Sequence, residues 1–252
     1  MALAIFDLSG FKTYLILERG LSSHTVSAYL NDVGKLFNFL AGEKNDFHVT
    51  DISYNGLKAF VTALTDLGLE ASTQARIISG IKSYFSYLVQ GGHLQEDPSA
   101  LLEMPKLSRK LPDTLHLHEI DQLIEAVDLS KPPGLRNRAI LELLYGCGLR
   151  VSELCDLKIS NIFDDAGFLK VTGKGNKERL VPIGSSALKH LNIYLDERKK
   201  MVAEKGAGDL IFLNRFNKRL SRITVFTAIK DLALKAGIEK TISPHTFRHS
   251  FA

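Results

Sequence analysis

Four basic side chains in the second half of the sequence have the types and contexts to act together on an anionic ester. They are Arg150 in YGCGLRVSEL, Lys174 in TGKGNKER, and His245 and Arg248 in ISPHTFRHSFA. Arginine forks bind non-bridging phosphate oxygens bidentately and stabilise the charge that builds up in phosphoryl transfer. A lysine on a hairpin turn can protonate a leaving alkoxide, and an imidazole can act as acid or base near neutrality. The set suits a phosphodiester and supplies no nucleophile of its own. Each residue also has a plainer use. Arg150 can pair with Glu153 or cap a carbonyl, Lys174 can be a solvated turn residue, and His245 can be a satisfied core histidine.

Two other chemistries fail on the residues and context they need. GKGNK is not a Walker loop, which needs G-x-x-x-x-G-K-[ST] between a strand and a helix; this stretch joins two strands. His245 and His249 have the i, i+4 spacing of a zinc-binding H-E-x-x-H helix. Thr246 stands where the glutamate would be, however, and Arg248 on the same face repels a cation. No metal and no other cofactor is expected.

The elements that must hold these residues can be read locally. Ser243-Pro244 is an N-cap followed by proline at the first helical position, so His245 and Arg248 fall on one face of the helix that starts there. Gly148 interrupts one helix and Arg150 starts the next. GFLKVTGKGNKERLVPIG (167–184) alternates apolar and β-branched residues around a Gly/Lys/Asn turn, which predicts a β-hairpin. Helices are predicted near 116–128, 134–147, 150–157, 185–204 and 221–236, with a second short strand and turn in 209–221.

The N-terminal part is predicted to be all-helical, with segments near 6–19, 23–41, 53–67 and 72–90. On the last of these, Ile77, Ile78, Ile81, Tyr84, Phe85 and Leu88 share one arc. The opposite arc holds Thr73, Arg76, Ser79, Gly80, Lys82, Ser83 and Ser86. It is small, polar and lightly basic, and serves either to approach phosphates or as an ordinary solvated face. MPKLSRKLPD (104–113), with two prolines and three basic residues, marks a domain boundary. The fold class expected is mainly α with a small β component (α+β): a helical domain over 1–105, a linker over 106–113 and a mixed domain over 114–252.

Composition bounds the rest. Apolar residues make up 45% and charged residues 24% of the 252, an ordinary globular mixture. No apolar run approaches the ~18–20 residues of a membrane span, and the start, MALAIFDLS, has no signal-peptide pattern, so a cytoplasmic protein is expected. The net charge of +4 permits a nucleic-acid partner without establishing one. It is unevenly placed: residues 1–112 carry 10 Lys+Arg against 11 Asp+Glu, and residues 113–252 carry 22 against 17. Cys147 and Cys155 would lie roughly 12 Å apart along a helix at ~1.5 Å per residue, too far for a disulfide. Both are expected to be reduced, and at least one buried.

Taken together, GLSSHTVSAYLNDV, STQARIISGIKSYFSYL, RNRAILELLYGCGLRVSELCDLKISNI, GKGNKERLVPIG and ISPHTFRHSFA resemble the tyrosine recombinases, most closely their bacterial XerC/XerD group. The resemblance runs from about residue 6 to the last residue. It implies an N-terminal helical core-binding (SAM-like) domain and a catalytic domain of the DNA breaking-rejoining type, clamped around double-stranded DNA. The enzymes act as homo- or hetero-tetramers and need no cofactor or membrane. By position, Arg150 and Arg248 match the arginines that hold the scissile phosphate, Lys174 the general acid toward the 5′-oxygen, and His245 an acid/base and phosphate contact. Glu153 matches the acid that orients the first arginine and its neighbours. Arg76, Ser79, Lys82, Ser83, Lys177 and Arg179 are expected DNA contacts. Cys147 departs from the Thr of the usual ATGLR pattern. The family continues beyond HSFA into a segment that carries the tyrosine nucleophile, and none of the seven tyrosines here follows Arg248. The expectation is a truncated product that binds DNA without cutting it, or else a non-catalytic accessory or inhibitor of a full-length recombinase.

Overall fold

The computed structural model describes residues 8–43, 48–107 and 114–251, apart from the side chains of Glu43 and Lys174. The chain divides into two compact units, 1–109 and 110–252. Most of the predicted linker, 108–113, lies outside the described residues.

The first unit packs α1 (Leu8–Leu17), α2 (Ser23–Glu43), α3 (Tyr54–Asp66) and α4 (Ala71–Gln90). The apolar arc of α4 is buried as the wheel requires, with Ile77, Ile78, Ile81 and Phe85 at 0% exposure. Its small arc is only partly a free surface. A Cβ at Gly80 would come within 3.3 Å of the Tyr29 ring on α2. Gly80 is therefore a seam where two helices approach closely, which corrects its placement on an open face. Beside it lies Asp32, fully buried and ion-paired with Arg76 and Lys35.

The second unit contains α5 (Leu117–Glu125), α6 (Pro132–Gly146), α7 (Val151–Cys155), β1 (Ile162–Phe163), β2 (Phe168–Thr172), β3 (Glu178–Pro182), α8 (Ser185–Arg198), α9 (Arg222–Lys235) and α10 (Pro244–Ser250). The predicted hairpin is β2–β3, in antiparallel register with Val171 opposite Arg179 and Leu169 opposite Val181. β1 adds a two-residue edge strand too short to leave a periodic signal. The stretch 209–221 makes only isolated bridges, Lys158 with Leu210 and Leu213 with Arg219. α8 stops at Arg198, earlier than predicted, because the buried Arg198 guanidinium turns to the carbonyls of Ala207, Gly208 and Leu210 and folds the chain back. The core gathers Leu141, Leu143 and Leu144 of α6, Leu169 and Val171 of β2, Leu191 and Tyr194 of α8, and Phe247 of α10. Among the described residues no helix is long and apolar enough to cross a membrane.

Candidate active site

Arg150 owes its position to the break between α6 and α7. Gly148 takes φ +55°, a region open to glycine at little cost, and the chain turns there so that Leu149 is fully buried while Arg150 emerges as the N-cap of α7. Glu153, three residues on, sends its Oε2 back to accept the Arg150 backbone N–H at 2.8 Å. This return from the third helical position satisfies a donor that has no intrahelical partner. The Oε1 of the same carboxylate accepts from Arg150 Nη1, also at 2.8 Å.

α10 is fixed by equally local means. Ser243 Oγ accepts the Thr246 N–H and Thr246 Oγ1 accepts the Ser243 N–H. Thr246 and Phe247 point into the core, and Ser250 Oγ accepts the Leu115 N–H at 2.7 Å. With that face inside, Arg248 is left half-buried, and its Nη1 donates to the Gly148 carbonyl at 2.7 Å. Arg248, far off in sequence, is thereby tied to the backbone two residues before Arg150. His245 sits exposed in the first turn of α10.

The hairpin reaches the same place from the other side. Arg179 donates from Nη1 to Glu153 Oε1 at 2.8 Å and from Nη2 to Oε2 at 2.9 Å. The turn residue Gly173 lies against this pair, since a Cβ there would stand 3.4 Å from both Arg179 Nη1 and Glu153 Oε1. Lys174 follows in the turn and its side chain lies outside the described residues; Lys177 is exposed. A hollow of about 430 Å³ opens between the elements, walled by Cys147, Gly148, Arg179, Arg248, His249 and Phe251 among others.

The electrostatics follow from the donor count. Glu153 is almost wholly buried, which pushes its carboxyl pKa up, yet the hydrogen bonds from Arg179 and Arg150 outweigh burial and hold it at about 2. Its hydrogen bond to Glu153 raises the Arg179 pKa further. One carboxylate thus faces two guanidiniums, and the cluster keeps a net positive charge suited to an anion. Cys147 and Cys155 are both buried and unpaired, and burial pushes their thiols up to about 12 and about 11.

The structure joins Arg150 and Arg179 through Glu153 and ties Arg248 to the Gly148 carbonyl; Arg179 and Arg248 line the hollow, whereas Arg150 and His245 do not. In the first unit Arg76 is turned to Asp32, Ser79 Oγ bonds the Ala75 carbonyl, Lys82 Nζ reaches the Ala100 carbonyl at 3.2 Å, and Ser83 is half-buried. Sequence reasoning missed the Gly148 carbonyl as the anchor of Arg248, and nothing local reveals it. It also missed the pairing of Arg179 with Glu153. Strand parity could have shown that one, because Arg179 shares its face of the hairpin with the buried Val181.

Residues 113–252 match the phage integrase family, and residues 8–92 match the N-terminal SAM-like domain of phage integrases. The tyrosine recombinase XerD of Staphylococcus saprophyticus is 40% identical over 239 residues, which cover 95% of this chain and 81% of that protein. XerD of Staphylococcus aureus is 39% identical over the same shares. Among solved structures, XerH site-specific recombinase bound to palindromic difH substrate, in a post-cleavage complex, superposes with TM-score 0.76 at 22% identity, over 92% of this chain and 69% of that one. A lambda integrase (75–356) dimer bound to a COC′ core site gives TM-score 0.73 at 22% identity, over 97% and 86%. At such identity the likeness is one of fold.

Proposed function

Because the chain belongs to the phage integrase family, the tyrosine recombinases, whose work is site-specific DNA recombination, we propose that the Arg150–Arg248 cluster is the seat of a scissile DNA phosphate. The observation that supports this reading is the Arg248–Gly148 bond, which ties the second arginine to the backbone two residues before the first. Arg150 gives one Nη1 hydrogen to Glu153 and keeps the rest of its fork for non-bridging oxygens. Arg248 closes on the same phosphate from α10. In the family's reaction a tyrosine oxygen attacks phosphorus and the bond to the 5′-oxygen breaks. Lys174 delivers the proton that the leaving oxygen takes up, and His245 assists as acid/base and phosphate contact.

Double-stranded DNA is the partner, and assembly as a tetramer on two duplexes, in the cytoplasm, belongs to the same reading. Arg76, Ser79, Lys82, Ser83 and Lys177 supply backbone contacts that set register without reading sequence. The two domains are 1–105 and 114–252, joined by 106–113. The 252-residue polypeptide itself holds DNA without forming a covalent bond to it. Its tyrosines are Tyr14, Tyr29, Tyr54, Tyr84, Tyr87, Tyr145 and Tyr194, and Tyr14, Tyr84 and Tyr194 are core residues.

Gel shift and a suicide substrate, run on the same preparation, test this. A salt-sensitive shift with no covalent adduct is expected. Arg150→Ala should weaken binding and lower the salt slope by about one phosphate. A covalent adduct would refute the non-cleaving reading, and no shift on duplex DNA at low salt would refute the whole.

A further inference from the structure

Arg150 and Arg179 carry the same charge beside the same carboxylate but use their donors differently. Arg150 gives Glu153 one side-chain bond, from Nη1, and its side chain is 48% exposed. Arg179 gives both terminal nitrogens, one to each carboxylate oxygen. With the Arg150 backbone N–H added, Glu153 accepts four hydrogen bonds, about the capacity of a carboxylate. It can neither rotate nor release one arginine without leaving a buried acceptor short of partners. The Gly173 backbone rests on this saturated pair, and its N–H closes the turn on the Lys177 carbonyl at 2.7 Å.

We propose that Arg179 is a positioning residue rather than a DNA contact: clamped on Glu153, it latches the β2–β3 turn that carries Lys174 to the start of the helix that carries Arg150. Both terminal nitrogens of Arg179 are held by the carboxylate, while Arg150 gives that carboxylate only one of its own. A lysine cannot take its place, because a single ammonium cannot span two carboxylate oxygens in one plane. The latch matters to the reaction because general acid and phosphate clamp must hold one geometry, and misplacement by about 1 Å is costly. It rests on the roles given above to Arg150 and Lys174.

Two measurements on the whole polypeptide test it. In Arg179→Lys and Arg179→Gln, amides of 173–178 should exchange about tenfold faster while those of the α6 core keep their rates. On duplex DNA, Arg179→Gln should weaken binding about 3- to 10-fold with an unchanged salt slope, and should add nothing in a Glu153→Gln background. Unaltered exchange in the turn overturns the latch. So does a slope lower by about one phosphate with effects that add, since that marks a direct phosphate contact. If Arg179→Gln does not fold, the double variant Glu153→Gln/Arg179→Gln, compared with Glu153→Gln alone, serves in its stead: equal affinity and slope are expected. Failure of the unaltered protein to bind DNA would sink the functional reading alone, because the exchange arm needs no DNA.

Discussion

Acid should dismantle the Glu153 cluster in a defined window. An ordinary glutamate titrates near 4.5, and Glu153 is held at about 2 in the folded chain. At 1.36 kcal/mol per tenfold change in proton affinity, that difference is worth about 3 kcal/mol. The side chain is only 2% exposed, so solvent screening takes little of it away. The sign follows from the depressed folded value. The stabilisation is fully present above pH 4.5 and is lost as pH falls through about 2. Glu153→Gln should therefore cost up to about 3 kcal/mol at pH 7, less whatever the amide oxygen retains, and the gap from wild type should close between pH ~5 and ~2. The assay is urea denaturation read by deuterium uptake in the α6 peptide around 139–144, which reports the second unit alone. That choice matters because Asp32 of the first unit is shifted the other way: burial raises its carboxyl more than Arg76 and Lys35 lower it. A gap that stays constant from pH 7 to pH 3, or no gap at pH 7, would show that Glu153 is not the saturated carboxylate described here.

Gly148→Ala places a Cβ 2.6 Å from the Phe251 ring at φ +55°; it should destabilise the second unit by about 1–3 kcal/mol and weaken DNA binding, seen in denaturation and gel shift. Arg76→Leu leaves the buried Asp32 carboxylate with Lys35 alone; the first unit should lose stability at neutral pH and recover part of it as pH falls and Asp32 protonates, measured by deuterium uptake in α4. Cys147 and Cys155 should resist alkylation at pH 8 until the second unit unfolds, because thiols held at about 12 and about 11 stay protonated and thiolate is the reactive form; mass spectrometry of trapped thiols checks this.

Much of the fold was legible because its signals are local. The arc of Ile77, Ile81 and Phe85, the N-cap Ser243-Pro244 and the alternation around TGKGNKER each lie within one or two turns of chain. The same elements appear in the structure. What failed was set from a distance. α8 ended early through Arg198 contacts with carbonyls 9–12 residues on. Gly80 looked like part of a polar face until Tyr29 of α2 was placed against it.

Which side chains can do phosphate chemistry, and which helix start, helix face or turn presents each, could be read along the chain. Residue type fixes charge and donor geometry, and i+3 or alternate spacing fixes the face. Which cations are engaged, and by what, came from packing. Arg179 lies 26 residues from Glu153, and Arg248 lies 100 from Gly148. No periodicity reaches that far, so the partner of a buried charge becomes visible only when packing brings the two together.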